Sequence, residues 1–273
     1  MPTEHAIRLG AMSFSKLEGT GGLKAALDRF RWFYLGAEFC ENLLRETLCD
    51  DIVRFQGKGK KVCLLTPPLS EKGASRLKKI FSTLNTLHKA GEVDFSRLEL
   101  SINDFAALEL ARACKLEVNI SAGRIFYENV FTQHRGHIHA LSRQALDYFR
   151  SLGITRYDIS VPGKIPLSNF ASKPCGLGKP GFNFSLHYPY LNLTTTRTCM
   201  VGMPDIRPHQ SIDGINCRHE CRACAFQVAH PWIRENLLVR GNTIFLKFHG
   251  KRSFSEKELN ELRVDRLVYC PFP

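Results

Sequence analysis

The sequence predicts an α/β protein, a (β/α) barrel of the TIM type forming a single domain over residues 1–273. Short β-rich apolar runs alternate with longer amphipathic ones at least five times, the pattern of a parallel sheet with crossover helices. Eight or nine strands can be counted, more than a small open sheet needs. No linker divides the chain, and 44% hydrophobic residues suffice for a substantial core. An open doubly wound sheet gives the same alternation, so the strand count is what favours closure.

Residues 6–13 read as the first strand and 21–30 as a helix with apolar positions at helical spacing. Residues 32–35 form a second strand ended by Gly36, 41–55 a helix, and 62–65 a strand stopped by Pro67 and Pro68. Ser70 caps a long helix over 71–90. A strand at 98–102 leads to a helix capped by Asn103 or Asp104 and running through Ala113. A strand at 118–120, a helix at 141–152 and a strand at 157–161 continue the alternation. Later strands read at 182–188, 243–248 and 266–269, and the long loops 163–181 and 200–215 both approach a cysteine cluster.

Lys and Arg number 38 against 26 Asp and Glu, a formal charge of +12, with local concentrations at Lys58, Lys60, Lys61 and at Arg76, Lys78, Lys79. That surplus suits an anionic partner, whether nucleic acid, an acidic protein, or a carboxylate or phosphate substrate; it equally suits a solvated basic face. The start lacks a secretory apolar core and no apolar run is long enough for a bilayer, so the expectation is a soluble protein of a reducing cytoplasm without a disulfide framework.

Ten cysteines punctuate the chain, and Cys217, Cys221 and Cys224 lie within eight residues, with Cys199 a loop upstream. Thiolates so close can converge on a zinc ion or an iron-sulfur cluster, and proximity alone selects these four. Free or disulfide-bonded cysteines in an irregular segment are the plain alternative. Cys40, Cys49, Cys63, Cys114, Cys175 and Cys270 are scattered, Cys63 and Cys114 in or beside apolar stretches where cysteine acts as a small hydrophobe. The three-then-two spacing also occurs in radical-SAM enzymes, but there it lies early with an aromatic before the last cysteine, whereas here it lies late and that position is Ala223. His134, His137 and His139 read as a solvated loop and helix entry, since no carboxylate accompanies them at ligand spacing. There is no His-Glu-x-x-His motif and no nucleophile with an evident base; Ser101, Ser121 and Ser160 read as strand residues.

The run Tyr34-Leu35-Gly36-Ala37-Glu38-Phe39-Cys40, the later Leu191-x-Leu193 leading to Thr198-Cys199, and Cys217 with Cys221 resemble the UbiU/UbiV branch of the collagenase-like peptidase family. The likeness extends from the strand at Ala6 to Val264-Asp265-Arg266-Leu267-Val268. The resemblance implies an oxygen-sensitive [4Fe-4S] cluster held by Cys40, Cys199, Cys217 and Cys221, with Cys224 either spare or in place of Cys221. It further implies a subunit of an oxygen-independent hydroxylation system, as in ubiquinone biosynthesis, acting in a heterodimer with a UbiU-like partner. The loop between Cys199 and Cys217 is longer than that family leads one to expect, and Cys224 and the Lys-rich stretch 163–181 are additional. A basic RNA-binding or RNA-modifying protein carrying zinc or a cluster, with Lys58 to Lys61 and Arg76 to Lys79 on phosphate, is the alternative of another class.

Overall fold

Along the chain run β1 (Glu4–Gly10), α1 (Phe14–Gly19), α2 (Leu23–Arg29), β2 (Trp32–Gly36), α3 (Leu48–Gly57), β3 (Lys61–Leu65), α4 (Glu71–Lys89), β4 (Leu98–Ile102), α5 (Phe105–Ala113) and β5 (Asn119–Ala122). Then come α6 (Arg124–Val130), β6 (Phe131–His134), β7 (His137–Ala140), α7 (Arg143–Ser151), β8 (Arg156–Ser160), β9 (Leu167–Ser168), β10 (Asn183–Tyr188) and β11 (Tyr190–Thr195). The chain finishes with β12 (Phe226–His230), β13 (Ile233–Arg240), β14 (Thr243–Lys247), α8 (Glu256–Glu261) and β15 (Val264–Tyr269). This computed structural model describes residues 3–134, 137–140, 142–160, 167–168, 181–202, 217–247 and 254–273.

Eight strands close a parallel barrel in the order β1, β15, β10, β8, β5, β4, β3, β2. The closure the strand count favoured is present, and the fold is an α/β barrel of the TIM type. β11, β14, β13 and β12 form an antiparallel sheet and β6, β7 and β9 a small third one. The expected strand at 243–248 therefore is not a barrel strand. It is β14, and the turn at Gly241 and Asn242 returns the chain directly beside β13, so that it can only pair antiparallel.

The helices start where the sequence supplies caps. Ser13, Ser70 and Ser142 accept backbone N–H groups at the starts of α1, α4 and α7, Asp104 does so for α5, and Ser255 forms a capping box with Glu258 at α8. Three expectations shift. The first strand stops at Gly10, because Ser13 is committed to capping α1. The helix expected over 41–55 divides into a short 3-10 turn, Glu41–Leu43, and α3. Glu41 is held there by the backbone N–H and hydroxyl of Ser70, both at 2.6 Å, which fixes the turn to the start of α4. In place of a loop and helix entry at His134, His137 and His139, the backbone forms the antiparallel pair β6–β7, with His134 opposite His137. Cys175 and most of the loops 163–181 and 200–215 lie outside the described residues.

The apolar core lies outside the barrel, between strands and helices. Phe33 on β2 stacks on Phe55 of α3 at 4.4 Å, and Leu77, Ile80, Phe81 and Leu84 line the buried face of α4. Burying each such side chain contributes about 2 kcal/mol. The lumen instead combines a small apolar cluster, including Ala6, Leu65 and Val268, with the buried charged and polar side chains of the barrel. At its lower end Arg266 donates to Glu99 at 2.8 and 3.2 Å and to Tyr34 Oη at 2.8 Å, and its guanidinium lies 3.7 Å from the Trp32 ring centre. Midway, Ser101 Oγ donates to Asp158 at 2.6 Å, His187 Nε2 stands 3.5 Å from the other Asp158 oxygen, and Cys270 Sγ lies 3.8 Å from His187 Nδ1. Among the described residues no helix is long and apolar enough to cross a membrane.

Burial by itself would raise the Asp158 carboxyl, but the His187 charge and the Ser101 hydroxyl hold it below the ordinary aspartate value. A depressed carboxyl contributes stability that is fully present above the unfolded value, about 3.9, and drains as pH falls through the folded one. Urea midpoints taken from pH 6 down to pH 3 are expected to fall less steeply for His187→Gln than for the native chain, because the variant has less of this stability to lose. A second test concerns Gly36, whose φ is +113° and where an added Cβ would meet Leu65 O at 2.4 Å. Gly36→Ala is expected to cost about 2–4 kcal/mol by urea unfolding. Gly57→Ala, with open space around the position, is the control and should be neutral or slightly stabilising.

Candidate metal centre at the barrel mouth

Loops after parallel strands share one end of a barrel, and the chemistry of such folds collects there. Glu38, just beyond β2, is 2% exposed and accepts Arg8 Nε at 2.8 Å and Arg124 at 2.6 and 2.5 Å. Burial would raise its carboxyl; Arg124 and Arg8 override that and pull it down to about 2. Arg124 also donates to Ser160 Oγ at 3.1 Å and to Tyr190 O at 3.3 Å, so one guanidinium joins the ends of β8 and β11 to Glu38.

That clamp sets the path of Phe39 and Cys40. Phe39 packs edge-to-face on Phe245 of β14 at 5.4 Å, and Asn242 Nδ2 donates to Phe39 O at 2.7 Å and to Thr196 O at 2.6 Å. In return Thr196 N–H donates to Asn242 O, and Met200 N–H to Gly241 O, both at 2.9 Å. The Cys40 loop, the Cys199 loop and the β13–β14 turn are thereby joined. Cys221 lies under the same turn: Gly241 has φ +63°, and a Cβ there would touch Cys221 Cβ at 3.4 Å. Arg240 Nε donates to Cys221 O at 3.1 Å.

These bonds bring Cys40, Cys199, Cys217 and Cys221 into one electrostatic neighbourhood. Burial first, then Cys217, Cys221 and Cys199, push the Cys40 thiol up to about 11 against the backbone N–H of Asn42. Cys221 is raised by burial and then by Cys199 and Cys217. Gly202 N–H points at Cys199 Sγ at 3.2 Å. Cys224 is exposed and donates its S–H back to Glu220 O at 3.2 Å. Among the described residues, no group of three or more His, Cys, Asp or Glu side chains stands close enough to form a ready-made metal cage.

A cavity of about 360 Å³ adjoins the thiols, with Cys40, Cys221, Phe39 and Phe245 in its wall. Its charged lining is Arg8, Lys16, Arg45, Arg222 and Arg240 against Glu38. Arg8 is taken by Glu38 and Arg45 by Asp51 at 2.7 Å. Lys16, Arg222 and Arg240 have no carboxylate partner among the described residues, and burial followed by repulsion from Arg8 lowers the Arg240 pKa. The cavity thus favours an anion.

Sequence reasoning missed Glu38, Arg8, Arg124 and the Asp158–His187–Cys270 chain. The available signal was a charge set inside an apolar strand run, as with Arg8 between Ile7 and Leu9. Ser101, Ser121 and Ser160 are buried lumen residues, two of them bonded to Asp158 and Arg124. The basic run expected to meet phosphate is partly used by the fold: Lys60 donates to Leu27 O, Lys61 lies 3.9 Å from Glu4, and Arg76 donates to Glu41 O at 3.0 Å. No family model, no curated protein and no solved structure matches this chain.

Asn242 is 5% exposed and serves two carbonyls at once. Asn242→Ala is expected to cost about 1–3 kcal/mol in thermal or urea unfolding, since it leaves the buried Phe39 carbonyl and the part-buried Thr196 carbonyl without this donor. The loss should exceed that of Thr196→Ala, a position on the exposed side of the same bonds.

Proposed function

We propose that the chain is a cluster-binding barrel protein, with Cys40, Cys199, Cys217 and Cys221 as the ligands of a [4Fe-4S] cluster. The observation that carries this reading is that one early and three late thiols share a neighbourhood at the barrel mouth, two of them in the wall of a cation-lined cavity. Four thiolates suit zinc or a cluster in donor chemistry, but a zinc ion with sulfurs at about 2.3 Å calls for no adjoining cavity. The N–H groups that already face Cys40 and Cys199 suit cluster sulfurs, whose potential is tuned by such bonds. When bound, a cluster would supply one-electron transfer. The chain would supply the thiolates, the cationic lining that receives an anion, and the packed Phe39 and Phe245 wall that limits water.

The resemblance to the UbiU/UbiV branch extends this to a subunit of an oxygen-independent hydroxylation system, such as one in ubiquinone biosynthesis, with a UbiU-like partner in a heterodimer. The RNA-binding alternative draws on the exposed Lys78 and Lys79 and on the net charge, and the internal bonds of Lys60, Lys61 and Arg76 count against it.

Anaerobic purification followed by iron, sulfide and zinc analysis is the test, with Cys40→Ala and Cys224→Ala alongside the native chain. Iron and sulfide in equal amounts and a broad violet-blue absorption are expected for the native chain and for Cys224→Ala, with both lost in Cys40→Ala. Zinc without sulfide, unaffected by Cys40→Ala, would overturn the cluster and the role of Cys40 together.

A further inference from the structure

Among the described residues, nothing covers the outer edge of the arm formed by β12 and β13. β12 is the last strand of the four-stranded sheet and pairs with β13 alone, so its outer row of backbone N–H and C=O groups meets no strand among the described residues. Every residue of β12 is exposed. Phe226 and Val228, which alternation places on one face, are 43% and 42% exposed. Trp232 at the tip is 91% exposed, its ring edge-to-face with His230 at 5.7 Å.

Monomeric proteins blunt an edge of this kind with lysine, proline or a covering loop, because an open apolar edge templates further pairing. β12, Phe-Gln-Val-Ala-His, contains no proline and no Lys, Arg, Asp or Glu. We propose that β12 is a homodimerisation edge, on which a second copy of this chain adds its own β12 antiparallel across a two-fold axis. The strand is self-complementary in that arrangement. A register centred on Gln227 sets Phe226 of each copy opposite Val228 of the other and leaves no like charges face to face. The four-stranded sheets then continue into one of eight strands, and apolar surface on both arms leaves water.

Charge distinguishes this occupant from others. The edge is neutral while each chain carries +12, so long-range repulsion opposes the dimer and salt strengthens it. An acidic protein or a nucleic acid on the same surface would be weakened by salt. The inference goes beyond the metal reading and does not rest on it, since the test reads mass and not metal content.

Sedimentation velocity of the full chain, over a concentration series at low and high salt, is expected to give a monomer–dimer equilibrium that tightens with salt. Val228→Lys should weaken the dimer about tenfold or more, the lysine being a poor neighbour for an apolar partner strand. Tyr148→Lys, on the exposed side of α7 at 54% exposure, should leave it unchanged. Far-UV circular dichroism should match for all three, which keeps misfolding separate from dissociation. A monomer at every concentration overturns the proposal and leaves the edge to a different protein. A dimer indifferent to Val228→Lys, or a larger species that salt or nuclease removes, overturns it as well.

Discussion

One carboxylate between two guanidinium groups governs the mouth of this barrel. Glu38 binds Arg8 of β1 and Arg124 at the start of α6, and Arg124 reaches on to Ser160 of β8 and to the backbone of β11. Strand ends from opposite sides of the barrel, and the sheet that sits over it, are therefore referred to a single side chain. Three buried charges carry a net positive one, so removing the carboxylate would leave two uncompensated guanidinium groups, a loss of about 3–5 kcal/mol by the behaviour of buried pairs. The remaining positive potential is felt nearby. Burial would raise the Cys270 thiol, yet His187, Arg124 and Arg8 hold it below the ordinary thiol value.

The division between a lumen that holds the buried charges of the strands and an outer shell that is mainly apolar gives the barrel its register. A one-residue slip of β15 would carry Arg266 out of the lumen and bring its neighbours Asp265 and Leu267 into conflict, the first because it is charged and bound to Arg156, the second because it belongs to the outer core. The same holds for β8, where Asp158 faces inward while Tyr157 and Ile159 pack against the helices. Charged side chains inside the lumen thus specify pairing that apolar residues of similar size would leave less determined.

The alternation of strands and helices was legible because each outer helix must bury an apolar stripe against a strand, and caps such as Ser70 and Asp104 mark where the helices begin. The mouth sheet was not legible as a separate unit. β14 has the apolar content of a barrel strand, and only the close turn at Gly241 and Asn242 decides its direction. Cys40 shows a different limit. Local spacing selects Cys199, Cys217, Cys221 and Cys224, whereas the closed barrel sets Cys40, in the loop after the second strand, near Cys199, Cys217 and Cys221, and Cys224 is exposed. Proximity in sequence is a good guide to a shared volume only when no closed sheet intervenes; here the resemblance, and not the spacing, pointed to Cys40.

Thiols in such a place resist ionisation, and this resistance connects the clamp to the chemistry. Burial together with Cys217, Cys221 and Cys199 holds the Cys40 thiol at about 11, so at neutral pH four thiolates do not collect there on the strength of the protein alone. A metal cation among them would reverse the balance by replacing protons with its own charge. The surrounding lining works in the same direction: Arg240 is bound to the Cys221 carbonyl, Arg222 stands in the same turn, and Arg8 is held at the cavity wall by Glu38. A centre bound by four thiolates would carry net negative charge, and these cations would compensate it without occupying its ligand positions. The arginine clamp that organises the barrel mouth therefore also supplies part of the field in which an anionic centre, or an anionic ligand beside it, becomes favourable.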